Sequence, residues 1–240
     1  MYDNHFQRVE EKYLLNEEQK EIFLKKIKTY IKKDKFYISN IHNIYFDDCN
    51  NDLIINSLEK PIFKDKYRIR SYGIPNIDDD VFFEIKTKYN GIVGKRRIKI
   101  KLKEYYEYIE NNKKYNNQIF NEIDYYFKYY HLKPAIYIAY DRQSYIGIDN
   151  KNLRITFDNN LRSRRSNLYF KDEESLENYF SDNMYIMEIK TVGSMPLWLV
   201  RILSEMNIMP TAFSKYGKIY EKEIYNNCII TSFMWYLCII

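Results

Sequence analysis

Five short stretches of this chain carry charged residues of both signs on alternating positions, a spacing that could bind and neutralise a densely charged anion. They are Arg8-Val9-Glu10-Glu11-Lys12, Lys66-Tyr67-Arg68-Ile69-Arg70, Phe83-Glu84-Ile85-Lys86, Arg154-Ile155-Thr156-Phe157-Asp158 and Met187-Glu188-Ile189-Lys190. Side chains alternate faces along a strand, so each stretch presents a charged row on one side and a mostly apolar row on the other. Gathered in one sheet that closes, the rows would line a pore suited to a polyanion and its metal ion. A sheet with one solvated outer face produces the same alternation, and periodicity alone does not separate the two.

Other chemistries lack their residues. Gly91-Ile92-Val93-Gly94-Lys95 has neither the spacer nor the Ser/Thr of a phosphate loop, and there is no GxSxG or HExxH. The histidines, His5, His42 and His131, are scattered, which argues against zinc or a Ser-His nucleophile. A metal would be held by carboxylates, which favours Mg²⁺ or Mn²⁺. Interleaved Lys, Arg and Tyr could serve a nucleic acid. However, Glu10, Glu84 and Glu188 stand inside the same rows and would repel its backbone, so a metal–phosphate site is expected and a nucleic acid is not.

The elements that must position these rows are legible around them. Strands are expected near Arg8–Leu15, Ile38–Phe46, Lys66–Tyr72, Val81–Tyr89, Gly94–Leu102, Ala135–Ile146, Leu153–Asp158 and Tyr185–Thr191. Asn16 is a plausible N-cap, with Glu17 and Glu18 in the first turn of a helix running to about Lys32. Short helices are expected near Asp52–Leu58, within 103–131, and from Pro196 to about Met206. The fold class is therefore α+β, about eight mainly antiparallel strands with helices packed outside. Asp47 and Asp48 read as turn formers, and Met195, Trp198 and most tyrosines as core.

With 240 residues, 45% hydrophobic content, 26 Tyr and 14 Phe, the chain can build a large single core. The net charge of +5 favours an anionic partner only where the positive charge is clustered. Cys49, Cys228 and Cys238 show no ligand-like spacing and read as reduced cytosolic thiols. The N-terminus lacks the apolar core of a signal peptide. The apolar stretch Cys228–Ile240 spans 13 residues, short of the ~20 that a membrane helix needs. A cytoplasmic chain is expected, with membrane association left open through this tail.

Taken in order, further motifs extend the set: Arg8-x-Glu10-x-Lys12-Tyr13, Tyr67-Arg68-Ile69-Arg70-Ser71-Tyr72, Phe83-Glu84-Ile85-Lys86, Lys95-Arg96-Arg97 and Tyr140-Asp141-Arg142-Gln143-Ser144-Tyr145. Leu153 to Asp158, Met187 to Lys190, Pro196-Leu197-Trp198 and Phe213-Ser214-Lys215-Tyr216-Gly217 complete it. From about Phe6 to Tyr220 this order resembles the VTC domain, the catalytic domain of polyphosphate polymerases of the vacuolar-transporter-chaperone type, within the triphosphate tunnel metalloenzymes.

The resemblance implies an eight-stranded antiparallel tunnel over residues 1–222, followed by an apolar tail, 223–240. The implied activity moves the γ-phosphoryl group of ATP onto polyphosphate with Mn²⁺ or Mg²⁺. By motif position, Arg68, Arg70, Lys86, Arg142, Arg154 and Lys215 would contact the reacting phosphates. Lys12, Lys95, Arg97 and Arg8 would bind substrate, although Lys95, Arg96, Arg97 and Lys99 also read as a solvated charge run. Glu188 would be the principal metal ligand, helped by Glu10 and Glu84, and Asp158 would orient Arg154 or bind metal through water. Arg8 stands where the wider superfamily has a first Glu, which suits the polymerase branch and leaves fewer carboxylates. A tunnel-type triphosphatase and a non-catalytic polyphosphate-binding module share the same lining. No complete membrane domain accompanies the motifs, so polymer export would need a separate membrane protein partner, or residues missing from this chain.

Overall fold

The computed structural model describes residues 8–90, 92–111, 113–180 and 183–224. Its elements are β1 (Arg8–Asn16), α1 (Glu17–Ile27), β2 (Ile31–Asp47), α2 (Asp52–Leu58), β3 (Phe63–Tyr72), β4 (Asp80–Tyr89) and β5 (Ile92–Lys101). There follow α3 (Leu102–Asn111), α4 (Gln118–Tyr129), β6 (Lys133–Gly147), β7 (Arg154–Arg164), β8 (Glu177–Asn178), β9 (Met184–Val192) and α5 (Leu197–Glu205). A further helix, α6, occupies 215–224.

All strands belong to one antiparallel sheet, ordered β1-β9-β7-β6-β2-β3-β4-β5, with the two-residue β8 added to β7. The sheet curls until side chains of its first strand reach those of its penultimate one: Lys86 Nζ on β4 donates to Glu10 on β1 at 3.1 Å. The space so enclosed is the lumen.

Helices cover the outer face where the apolar rows emerge. α3 and α4 lay Tyr105, Tyr108, Phe120, Ile123 and Phe127 on Tyr67, Ile69, Phe83 and Ile85. α1 and α5 lay Phe23, Ile27, Leu199 and Leu203 on Tyr13, Leu15, Ile155, Phe157, Met187 and Ile189. With the apolar row buried outside, the charged row of the same strands faces the lumen. Glu84 and Asp158 are fully buried, and Arg70 and Glu188 nearly so. The wet-outer-face alternative is thereby excluded for these rows.

Local signals fix the helix starts. Asn16 and Gln19 cap each other, side chain to backbone, at 2.8 and 3.0 Å. Glu17 and Glu18 open α1, and Lys25 and Lys26 close it, in keeping with its dipole. The helix stops at Ile27, short of the expected Lys32, because residues 31–33 pair with 145–147 of β6 and Ile31 is buried there. Asp47 does more than form a turn. Its carboxylate accepts from Leu53 N and Ile54 N at the start of α2, and from the Tyr216 hydroxyl at 3.0 Å. Trp198 stacks on Tyr30 at 4.1 Å, packed against the core as expected.

α6 lies against the lumen side of β2, β6 and β7. Phe213, Tyr216 and Ile219 pack on Ile41, Tyr45, Ile136, Ile138, Tyr140, Leu161 and Ile186. Arg165 clamps Glu223 near its end. The tail beyond residue 224 lies outside the described residues.

Candidate active site

Strand register sets the lumen residues abreast. Lys66, Lys86 and Lys95 form one row across β3, β4 and β5, and Arg68, Glu84 and Arg97 form the next. Lys12, Glu188 and Thr156 align across β1, β9 and β7, followed by Glu10, Lys190 and Arg154. Arg142 on β6 stands opposite Asp158 on β7.

Two carboxylates are locked to bases. Glu84 receives Arg68 at 2.7 Å and Lys95 at 2.5 Å, with Arg70 at 4.0 Å. Burial raises its carboxyl pKa, but Arg68, Arg70 and Lys95 outweigh that and hold it down at about 2. Asp158 takes both arms of Arg142, at 2.6 and 2.7 Å, and Lys215 from α6 at 2.6 Å. Burial again opposes, and Arg142 and Lys215 hold this carboxyl at about 2. A bidentate guanidinium is the geometry best suited to a carboxylate or a phosphate.

The guanidinium groups have second supports. Arg70 donates to Asn43 Oδ1 at 2.9 Å and to the Tyr140 hydroxyl at 3.1 Å, and Arg68 donates to the Tyr45 hydroxyl at 2.9 Å. Arg142 and Lys215 both lie over the Tyr140 ring. Burial opposes ionisation of Tyr45, yet Arg68, Arg70 and Lys215 bring its phenol down to about 8.

Glu10 and Glu188 form the third centre. They are diagonal neighbours on paired strands, and the Glu10 side chain lies beside the Glu188 carboxyl. Lys190 reaches Glu188 at 2.9 Å, Arg142 at 3.7 Å, and Lys86 reaches Glu10 at 3.1 Å. Burial raises the Glu188 pKa, and Lys190, Lys12 and Arg142 hold it well below the usual carboxylate range. Lys12 itself is lowered, chiefly by burial, and donates to Phe213 O at 2.8 Å.

Two adjacent carboxylates suit Mg²⁺ or Mn²⁺, which keep water and substrate oxygens in their remaining positions. Glu10 and Glu188 therefore fit the implied metal. Glu84, the third carboxylate of the expected set, is committed to Arg68 and Lys95 and does not join them. Among the described residues no group of three or more His, Cys, Asp or Glu is placed to hold a metal.

Of the expected phosphate contacts, Arg68, Arg70, Lys86, Arg142, Lys215 and Lys12 converge on the lumen. Lys95 reaches it through Glu84 from the edge strand. Arg97 lies exposed over the Phe82 ring at 4.8 Å. Arg154 stands half-exposed beside Asp34, which also accepts from Ser144 Oγ at 3.1 Å, so Arg154 is oriented by Asp34 and not by Asp158. Arg8 opens β1 opposite Val192, and its side chain lies outside the described set. Sequence reasoning passed over Asn43, Tyr45, Lys66, Tyr140, Lys190 and Ser214. Lys66 and Lys190 belong to the alternating rows and could have been found there. Asn43 and Tyr45 sit in a strand that carries no alternating charge.

Among solved structures, the chain is similar to a Bacillus halodurans protein named as a candidate adenylate cyclase. The two are 14% identical, the match covers 87% of this chain and 95% of that one, and the TM-score is 0.54. A Vibrio parahaemolyticus protein named in the same way is similar over 90% and 99% of the two chains at 10% identity, with a TM-score of 0.48. The first likeness bears on fold alone and agrees with the curled antiparallel sheet and its outer helices. No curated protein matches. A family profile described as "VTC domain" matches residues 7–223, from the start of β1 to the end of α6. The chain belongs to the VTC domain family, a family of tunnel-type, phosphoryl-handling proteins.

Proposed function

We propose that this chain is a metal-dependent polyphosphate polymerase, transferring the γ-phosphoryl group of ATP to a growing polyphosphate chain. The supporting observation is the charge balance of the lumen. Lys12, Lys66, Arg68, Arg70, Lys86, Arg142, Lys190 and Lys215 outnumber Glu10, Glu84, Asp158 and Glu188 there, which leaves room for a polyanion's charge.

In the proposed step, an oxygen of the acceptor's terminal phosphate attacks the γ-phosphorus. The bond from the γ-phosphorus to the β–γ bridging oxygen breaks, and ADP leaves with that oxygen. An ionised acceptor needs no general base, so the protein's work is alignment and charge neutralisation. Arg68, Arg70 and Arg142 offer planar forks to phosphate oxygens, while Lys12, Lys86 and Lys215 act as movable point charges. Glu10 and Glu188 would hold a divalent cation, which would neutralise charge on the transferring group.

One observation favours a second reading, a tunnel-type triphosphatase. Phe213, Tyr216 and Ile219 occupy the lumen side of β2, β6 and β7, where an acceptor chain would otherwise pass. Purified protein with ATP and Mn²⁺ or Mg²⁺, with and without a short polyphosphate primer, separates the two. Long polymer with matching ADP supports the polymerase; orthophosphate without polymer supports the hydrolase. Retained primer with neither product would identify a binding module.

A further inference from the structure

Lys66, Lys86 and Lys95 stand abreast on three adjacent strands, about 5 Å apart by strand spacing. Like charges set opposite each other are unfavourable unless something neutralises them. Lys86 has Glu10 and Lys95 has Glu84. Among the described residues Lys66 has no carboxylate. Its ammonium donates to the Ser214 hydroxyl at 2.7 Å.

Ser214 is itself the cap of α6. Its hydroxyl accepts from Gly217 N at 3.2 Å, and its carbonyl accepts from Lys218 N at 2.8 Å. The positive end of the α6 dipole thus adds to the Lys66 charge. On the other side stands Tyr45, nearly fully buried. Its hydroxyl accepts from Arg68, and among the described residues nothing accepts its proton.

We propose that Lys66, Tyr45, Arg68 and the Ser214-capped start of α6 form a subsite for the terminal phosphate of an inorganic phosphate chain. This rests on the reading that the lumen binds phosphate chains, and assigns the place where such a chain ends. A terminal phosphate carries a second negative charge near neutral pH, which an internal phosphate of the chain lacks. The subsite meets it with an unmatched ammonium, a guanidinium, a helix start and a phenol proton. Lys66 already bears the mark of missing an anion. Burial, with Lys64, Lys12 and Lys86 nearby, lowers its pKa to about 8 despite the Tyr45 phenol.

The test is calorimetric titration of inorganic tripolyphosphate into the full chain, compared with Lys66→Met, Lys66→Arg and Tyr45→Phe. Loss of one charge-assisted contact predicts about tenfold or more weaker binding for Lys66→Met, with Lys66→Arg retaining most of the affinity. Acetic anhydride labelling of the unaltered protein gives a second readout, with Lys66 expected to be protected by tripolyphosphate. Wild-type affinity in a folded Lys66→Met, or Lys66 labelling unchanged by ligand, overturns the subsite alone. Failure of the unaltered protein to bind tripolyphosphate overturns the phosphate-chain reading beneath it. Should Lys66→Met not fold, Lys66→Arg and the labelling decide.

Discussion

The Lys215 ammonium stands 2.6 Å from Asp158, a residue 57 positions earlier in the chain, and joins α6 to the lumen wall. Asp158 is fully buried and also holds Arg142. Removing one member of a buried ion pair leaves uncompensated charge and costs about 3–5 kcal/mol. Asp158→Ala is therefore expected to lower the melting temperature by roughly 10 °C, measured by differential scanning calorimetry. A melt within a degree or two of the parent would show that the lumen is far wetter than described.

Acid should unfold the protein through the same carboxylates. Asp158 and Glu84 titrate at about 2 in the folded chain, below their ordinary values of 3.8 and 4.5. Groups with depressed folded pKa values contribute stability that is complete above the unfolded value and drains away as pH falls. Urea midpoints should hold steady down to about pH 5 and drop steadily between about 4.5 and 2. Glu84→Gln should flatten part of that fall.

Alkali should weaken ligand binding by a different pair. Lys66 and Tyr45 both titrate at about 8, so above that pH the first loses its positive charge and the second gains a negative one. Both changes oppose an anion. Tripolyphosphate affinity is expected to fall above about pH 8, and Tyr45→Phe to shallow the decline. A flat profile to pH 9.5 would contradict these placements.

Glu188→Ala should separate binding from turnover. Its carboxylate neutralises Lys190 and approaches Arg142, and its loss frees those cations while removing half of the proposed metal pair. Product formation is expected to fall by about a hundredfold or more, as when a principal stabiliser of transition-state charge is removed. Tripolyphosphate binding should stay the same or tighten. Activity within a few-fold of the parent would disprove the metal assignment.

Arg70 and Arg97 offer a matched comparison. Arg70 is buried and tied to Asn43 and Tyr140, whereas Arg97 is exposed over Phe82. Arg70→Ala should weaken tripolyphosphate binding by about tenfold or more, and Arg97→Ala by twofold or less. Equal losses would show that the exposed Arg97 contacts the ligand as closely as Arg70 does.

Alternation announced the strands around Arg68, Glu84, Arg154 and Glu188, and the Asn16 cap announced α1. What alternation lacked was any mark of which side would be covered. That was decided by Phe83, Tyr67 and Phe127 meeting across more than forty residues of intervening chain. The expected second strand begins only at Ile38 because residues 31–37 carry no strand-like pattern of their own, and 31–33 join β2 only through their pairing with 145–147 of β6. Lys66 sat in a recognised row and was passed over because its distinction is the carboxylate it lacks, a property of neighbours. Tyr45 and Asn43 work by holding Arg68 and Arg70, and no spacing rule reaches across strands to find such supports.

The lumen carries its own counterions. An open basic surface is screened by dissolved ions, which a bound polyanion releases, so its affinity falls steeply with added salt. Here Glu84, Asp158 and Glu188 are tethered in place and are not diluted away. A phosphate chain entering this wall takes over cations from carboxylates that stay in place, so fewer dissolved ions are released than from an open basic surface. Its affinity should therefore fall less steeply with ionic strength than eight cations without fixed partners would require. Weak, singly held anions such as chloride should compete poorly against those fixed carboxylates.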